Sequence, residues 1–203
     1  MTSYGIERVV LLDDEGRDIG SEDKATVHRR DTPLHLAFSC YVFSVAAELL
    51  VTRRATDKLT FPGVWTNTAC GHPAPGEGFL DAVRRRTRQE LGLCLRDLKV
   101  VLPGFRYRAE MSNGMTENEM CPVSAARAGD DSLLVDASEV AETTWVPWLG
   151  FRDDVLTGAR VVSPWCLEQV RQLAALGDDP SGWPAAAVSD LPPAARRLHS
   201  VDM

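Results

Sequence analysis

Three histidines and two glutamates are the first residues whose types could do chemistry together: His28, His35, His72, Glu117 and Glu119. Side chains two apart on a strand project to one face, so Glu117-Asn118-Glu119 can aim both carboxylates at a single point. Imidazoles mixed with carboxylates suit a divalent metal such as Mn, Mg, Fe or Zn. Taken one at a time, a histidine more often occupies a surface or core position, and a Glu-Asn-Glu step more often ends a solvated strand. A second group is Thr66-Asn67-Thr68-Ala69-Cys70-Gly71-His72-Pro73, where a thiol beside glycine is sterically open and a nearby metal or cation can tune its acidity. That permits proton transfer at Cys70, although a lone cysteine is more often a buried packing residue. The basic residues Lys24, Arg54, Lys58 and Arg86 can together offset a diphosphate, arginine by bidentate grip and lysine as a point charge. Singly, each reads as a surface charge.

The elements that must position these groups read as an α/β layered fold with mixed β-sheets flanked by helices. Residues 8–12 form a short apolar run stopped by Asp13-Asp14-Glu15-Gly16, and residues 36–46 and 49–52 predict a strand pair. Leu80, Val83, Thr87 and Leu91 fall at helical spacing, with Gly92 placed to end the helix. On that helix Arg86 and Glu90 lie side by side at one border of the apolar stripe, where they can line a cleft. Further strands are expected at 98–102, 105–109, 119–126 and 143–146, and Pro147 and Pro164 suit the first turns of two later helices. Beyond Leu176 the composition turns to Gly, Asp, Pro and Ala, so one domain over residues 1–176 is followed by an expected loosely held tail, 177–203.

Bulk properties narrow the function classes. A net charge of -7 argues against nucleic-acid or acidic-membrane binding, so an anionic small molecule would need a local basic pocket. No apolar run is long enough to span a bilayer and the first residues lack a signal-peptide core, which makes the cytoplasm the expected location. The five widely spaced cysteines include no CxxC pair and are expected to be free thiols.

From Gly71 through Glu77 and Arg85 to Glu90, Gly92 and Leu93, the order and spacing resemble a Nudix box. The likeness is partial, because Arg86 and Gln89 stand where a full box has carboxylates. Nudix hydrolases gather helix carboxylates to hold the metals that activate water, so losing two makes diphosphate hydrolysis a poor reading. Glu90 alone can still hold one Mg²⁺ against a diphosphate. A non-catalytic module that senses a phosphorylated ligand is the other alternative.

Taken together, His35-Leu36-Ala37-Phe38-Ser39, Leu50-Val51-Thr52-Arg53-Arg54-Ala55, Phe61-Pro62-Gly63-Val64-Trp65-Thr66-Asn67, Cys70-Gly71-His72-Pro73, Phe105-Arg106-Tyr107-Arg108-Ala109, Glu117-Asn118-Glu119 and Ser163-Pro164-Trp165 closely resemble type 1 isopentenyl-diphosphate Δ-isomerase. The resemblance implies a Nudix-like fold and interconversion of isopentenyl and dimethylallyl diphosphate for isoprenoid synthesis. It implies one divalent metal, Zn²⁺, Mn²⁺ or Mg²⁺, on His28, His35, His72, Glu117 and Glu119. A second metal, Mg²⁺, would be held by the diphosphate, Glu90 and the backbone carbonyl of Cys70. Cys70 and Glu117 would exchange protons on opposite faces of the allylic unit, with Tyr107 assisting Glu117. Lys24, Arg54, Lys58 and Arg86 would line the diphosphate pocket and Trp165 would face the developing cation. Read without the resemblance, Trp165 is a core residue. A monomer or weak homodimer is expected, with no macromolecular partner.

Overall fold

The computed structural model describes residues 7–130 and 132–199. In chain order the elements are β1 (Arg8–Leu12), β2 (Asp18–Asp23), α1 (Lys24–Val27), β3 (His35–Leu36), β4 (Phe38–Phe43), β5 (Glu48–Arg54), β6 (Trp65–Thr66), β7 (Ala69–Gly71), α2 (Phe79–Leu91), β8 (Leu95–Leu102), β9 (Arg106–Glu110), β10 (Thr116–Met120), β11 (Val123–Ala128), β12 (Val140–Pro147), α3 (Trp148–Thr157) and α4 (Pro164–Ala174). Three short 3₁₀ turns follow, at Pro180–Gly182, Val188–Asp190 and Pro193–Ala195.

The strands form two mixed sheets. One runs in the order β2-β1-β3-β10-β9; the other runs β12-β5-β4-β11-β8, with β6 added to β5 and β7 to β4. The second sheet is covered on both faces, which explains why β4 reads as continuously apolar or small rather than alternating. Its Phe38, Cys40 and Val42 pack toward Phe79, Leu80, Val83 and Leu91 of α2. Tyr41 and Phe43 pack on the other side with Trp148, Phe151, Trp165 and Leu173 of α3 and α4. The expected helix is present with Gly92 in the left-handed region at φ 71°, its amide closing on the Arg88 carbonyl, as a C-terminal glycine cap requires. Pro164 opens α4 as expected, whereas Pro147 sits one residue ahead of α3 as its cap.

Two expectations need correction. The strand expected at 119–126 is two strands, because Cys121 and Pro122 interrupt it: β10 belongs to the first sheet and β11 to the second. This break carries the chain from one sheet to the other directly beside Glu119. The described part of the segment after Leu176, residues 177–199, is also not loosely held. Trp183 is 2% exposed and meets Trp148 and Phe43 edge-on at centroid distances of 5.2 and 5.6 Å, while Leu191 and Ala195 join the α2 core. The carbonyls of Arg197 and Leu198 accept from the Phe79 and Leu80 amides at 2.7 and 2.8 Å. They thereby satisfy the first free N–H groups of α2, whose cap residue Gly78 has no side chain to do so. A few apolar anchors and backbone bonds suffice to dock a segment whose average composition is polar.

Candidate active site and metal centre

Register places the metal-ligand candidates. The parallel pairing of β3 with β10 sets His35 opposite Glu119, and the antiparallel pairing of β9 with β10 sets Tyr107 opposite the same glutamate. His28 terminates α1, and His72 follows β7 where that strand pairs with β4. Ligand atoms of His28, His35, His72 and Glu119 all lie within 4.8 Å of one another. Glu119 Oε1 is 3.2 Å from His72 Nε2 and 3.5 Å from His35 Nε2. The His35 Nδ1 donates to the Pro33 carbonyl at 2.9 Å, which leaves Nε2 as the lone-pair nitrogen facing the cluster.

Three buried imidazole nitrogens, His28 Nε2, His35 Nε2 and His72 Nδ1, have no hydrogen-bond partner. Burial pushes the His28 and His72 rings down to about 4 and about 3, so both are neutral, the form that ligates metal. The donor set therefore fits a divalent cation. Glu117 is not in the cluster of four; it joins through Tyr107, whose hydroxyl lies 2.7 Å from Glu117 Oε2 and 2.9 Å from Glu119 Oε2. Since a phenol has one proton, it can donate to only one of the two carboxylates at a time. Burial, then the charge of Glu119, raises the Glu117 carboxyl above its ordinary range. Burial opposes ionisation of Glu119 too, but His35 and His72 outweigh it and hold that carboxyl low.

Cys70 lies opposite Ser39 in the β4–β7 pairing, and burial pushes its thiol up to about 11, so it holds its proton at neutral pH. The sulfur lies 3.5 Å from Ser39 Oγ and donates to Asn67 Oδ1 at 3.3 Å. The same Asn67 oxygen accepts from the Trp165 indole at 3.2 Å and from Thr66 Oγ1 at 2.9 Å. The Asn67 amide nitrogen donates to the Cys40 and Ala69 carbonyls, which fixes the orientation of the side chain. Asn67 thus positions both the thiol and the indole, a task no feature of its sequence neighbourhood distinguishes from that of any other turn asparagine. Trp165 is a core residue and a cavity wall at once: it is 2% exposed, stacks obliquely on Tyr107 at 5.6 Å and has the Arg54 guanidinium 5.6 Å from its ring centroid.

Except for the fully buried His35, the candidate site residues line one cavity of about 560 Å³. One part of its wall carries Cys70, Tyr107, Glu117, Glu119, Trp165, His28 and His72; another carries Lys24, Lys58, Arg86 and Glu90, linked through ion pairs. Arg86 pairs with Glu90 one helical turn away, and Gly71 lets it approach, since a Cβ there would come within 2.9 Å of Arg86 Cγ. Arg54 is committed to the neighbouring loop, donating to the Thr60 and Phe61 carbonyls. The lining also contains Glu7 and Glu139, neither of which was singled out by the sequence. Seven lining carboxylates face four lining lysines and arginines, so a polyanion can enter only with cations that bridge it to the carboxylates.

Among known proteins, a family model described as the NUDIX domain matches residues 33–166. The chain is 58% identical over 190 residues to an isopentenyl-diphosphate Delta-isomerase of Saccharopolyspora erythraea, covering 94% of this chain and 97% of that protein. It is 57% identical to a protein of that name from Mycolicibacterium vanbaalenii, covering 84% and 93%, and 49% identical to one from Rhizobium rhizogenes, covering 97% and 94%. A crystal structure from Deinococcus radiodurans superimposes with a TM-score of 0.63 at 16% identity, covering 82% of this chain and 98% of that one, which is a likeness of fold. A MutT protein from Methanosarcina mazei gives 0.52 at 16% identity, covering 70% and 94%. Among the described residues no helix is long and apolar enough to cross a membrane. With a NUDIX match over most of its length and relatives of one name aligned almost end to end, the chain belongs to the isopentenyl-diphosphate Δ-isomerase family of the NUDIX fold.

Proposed function

We propose that the chain interconverts isopentenyl and dimethylallyl diphosphate, moving a carbon–carbon double bond by adding a proton at one carbon and removing one from another. The observation that supports this reading is a protonated thiol, Cys70, and a phenol-linked carboxylate pair in the same cavity as a cluster of lysine and arginine side chains. An isolated alkene is a very weak base, so its protonation requires an acid held against it and stabilisation of the tertiary cation that forms. Cys70 serves one face. The other is served by Glu117 and Glu119, bridged by the Tyr107 hydroxyl, which passes a proton to either carboxylate. We assign this transfer to the pair rather than to Glu117 alone, because the one hydroxyl serves both and it is Glu119 whose charge bears on the Cys70 thiol.

Trp165 faces the developing cation and stabilises it by about 2 kcal/mol once water is excluded. His28, His35, His72 and Glu119, with Glu117 beside them, would hold a Zn²⁺, Mn²⁺ or Mg²⁺ ion. Glu90 and the Cys70 carbonyl would hold a Mg²⁺ ion against the diphosphate. When bound, these ions fix the carboxylates and offset the negative charge of the lining. Lys24, Lys58 and Arg86 anchor the phosphates, with the loop-held Arg54 adding its positive charge beside them. The substrate is a free small molecule, and five free cysteines suit a reducing cytoplasm.

Incubation with isopentenyl diphosphate and Mg²⁺ in deuterated water tests the reading. Dimethylallyl diphosphate should form with deuterium incorporated; absence of both would overturn the assignment. Cys70→Ala should lose nearly all turnover while remaining folded. Comparing Glu117→Gln with Glu119→Gln resolves the pair: both should fall by more than about 10²-fold, and near-normal turnover in either removes that residue from the proton path.

A further inference from the structure

Glu7 and Glu139 line the substrate cavity, yet the proposed reaction gives neither a role. They approach the phosphate-binding cations from two sides. Glu139, just before β12, accepts from Lys58 Nζ at 2.5 Å and from Arg86 Nη2 at 3.1 Å through the same oxygen, Oε2. Glu7, just before β1, accepts from Lys24 Nζ at 2.7 Å and lies 3.8 Å from Arg86 Nη1. All three cations on this part of the cavity wall are therefore already held by a carboxylate that a diphosphate would have to replace. Glu139 is itself fixed in place, its amide bonded to the Asp136 carbonyl and its own carbonyl to the Ala55 amide on the loop that carries Lys58.

We propose that Glu7 and Glu139 are stand-in anions: they keep Lys24, Lys58 and Arg86 converged between turnovers and compete with the diphosphate for them, thereby limiting how tightly substrate and product are held. Three converging cations repel one another unless an anion lies between them, and a lysine released from its partner turns toward solvent. A carboxylate carries less charge than a diphosphate and has fewer acceptor oxygens, so it is displaced on binding and returns on release. An enzyme whose substrate and product carry the same diphosphate gains nothing from gripping both too firmly, because uniform binding slows departure without lowering the chemical barrier. The inference rests on the assignment of this part of the cavity to the diphosphate.

The test uses inorganic diphosphate as the probe, titrated calorimetrically into the full-length, metal-loaded protein with Mg²⁺ present. Glu139→Gln keeps the shape and removes the competing charge, and should bind diphosphate about five- to tenfold more tightly. Glu7→Gln should tighten binding by a smaller factor, because that carboxylate is half exposed. Glu142→Gln is the control for net charge: Glu142 pairs with Arg53 outside the cavity and should bind as the unaltered protein does. Unchanged or weaker binding in Glu139→Gln overturns the proposal, as does an equal gain in Glu142→Gln. Lys58→Ala separates the two levels of inference. It should weaken diphosphate binding, and if it does not, the assignment of this part to the diphosphate fails and the stand-in role falls with it.

Discussion

Replacing Asn67 by alanine is the most demanding test of how the site is held, because its consequence can be worked out bond by bond. The side chain is wholly buried and takes part in five hydrogen bonds: three donors, from Cys70, Trp165 and Thr66, converge on its oxygen, and its nitrogen serves two backbone carbonyls. A buried polar group stripped of its partner costs about 1–3 kcal/mol. Thr66 retains Ser163 at 2.8 Å and water can enter the space left behind, so the sum is discounted to on the order of 5 kcal/mol. For a chain of this length that lowers Tm by roughly 10–20 °C. Asn67→Asp should do no better, since its second oxygen would face the Cys40 and Ala69 carbonyls now 3.1 and 2.9 Å from the amide nitrogen. Catalysis should suffer in kcat more than in KM, by about 10²-fold at a temperature where the variant is folded, because the thiol and indole lose their aim while the phosphate cations do not. Near-UV circular dichroism melting and steady-state isomerisation are the assays. A Tm within about 3 °C of the unaltered protein, or a loss confined to KM, would refute the reasoning.

The docked C-terminal segment predicts that Trp183→Ala costs about 3–5 kcal/mol and lowers Tm by roughly 6–20 °C, measured by thermal denaturation; a shift under about 2 °C would mean the segment is not part of the core. The metal centre predicts that chelator lowers Tm and that added Zn²⁺ or Mn²⁺ restores it, by about 2.7 kcal/mol at a hundredfold excess over Kd. His35→Ala should abolish the metal response, and an unchanged response would relocate the site. In chelator-treated protein, His28 and His72 lie at about 4 and about 3 when folded and near 6.5 when unfolded, so between those limits the unfolded chain binds more protons. Stability is then fully present above pH 6.5 and declines as pH falls through 4 toward 3, partly offset by His35, whose pKa is raised because Glu119 outweighs its burial. A chemical-denaturation series over pH 4–8 that is flat would contradict the burial of the two rings.

What was legible in the sequence depended on local pattern. The helix of Phe79–Leu91 announced itself by its apolar spacing and its terminal glycine, and the alternation in Glu117-Asn118-Glu119 did put both carboxylates on one side of β10, within reach of a single tyrosine hydroxyl. The long-range partners were not legible. Glu139 is far from Lys58 and Arg86 in sequence, and nothing in its neighbours marks it; only the closing of the sheet brings it to them. The strand β2 and the single turn α1, which carry the chain to His28, are too polar and too short for a periodic signal. The C-terminal segment was misread for the opposite reason: its polar, proline-rich average conceals Trp183, Leu191 and Ala195, each placed where a core gap receives it.

The departures from a full Nudix box acquire a physical meaning in this setting. Arg86 points into the cavity and is paired with Glu90, so the helix presents a compensated ion pair there. Gln89 lies on the exposed side, where it accepts from Arg85. A helix face carrying one compensated carboxylate cannot assemble the several carboxylate-held metals that activate water against phosphorus. The metal-binding potential of the cavity lies instead with His28, His35, His72 and Glu119, contributed by strands of the two sheets and the turns beside them. In the proposed reading, Lys24, Lys58 and Arg86 hold a diphosphate without attacking it, and its hydrocarbon tail lies between Cys70 and the Tyr107-linked carboxylates. Converting the helix back, by Arg86→Glu with Gln89→Glu, should therefore abolish isomerisation by removing a proposed phosphate anchor, while hydrolysis of the diphosphate should gain little, because position 89 lies on the exposed side of the helix and a carboxylate there does not face the cavity. Release of phosphate by that double variant at rates comparable to the lost isomerisation would show that the two chemistries are separated by these two side chains alone, and that the rest of the cavity contributes less than its geometry implies.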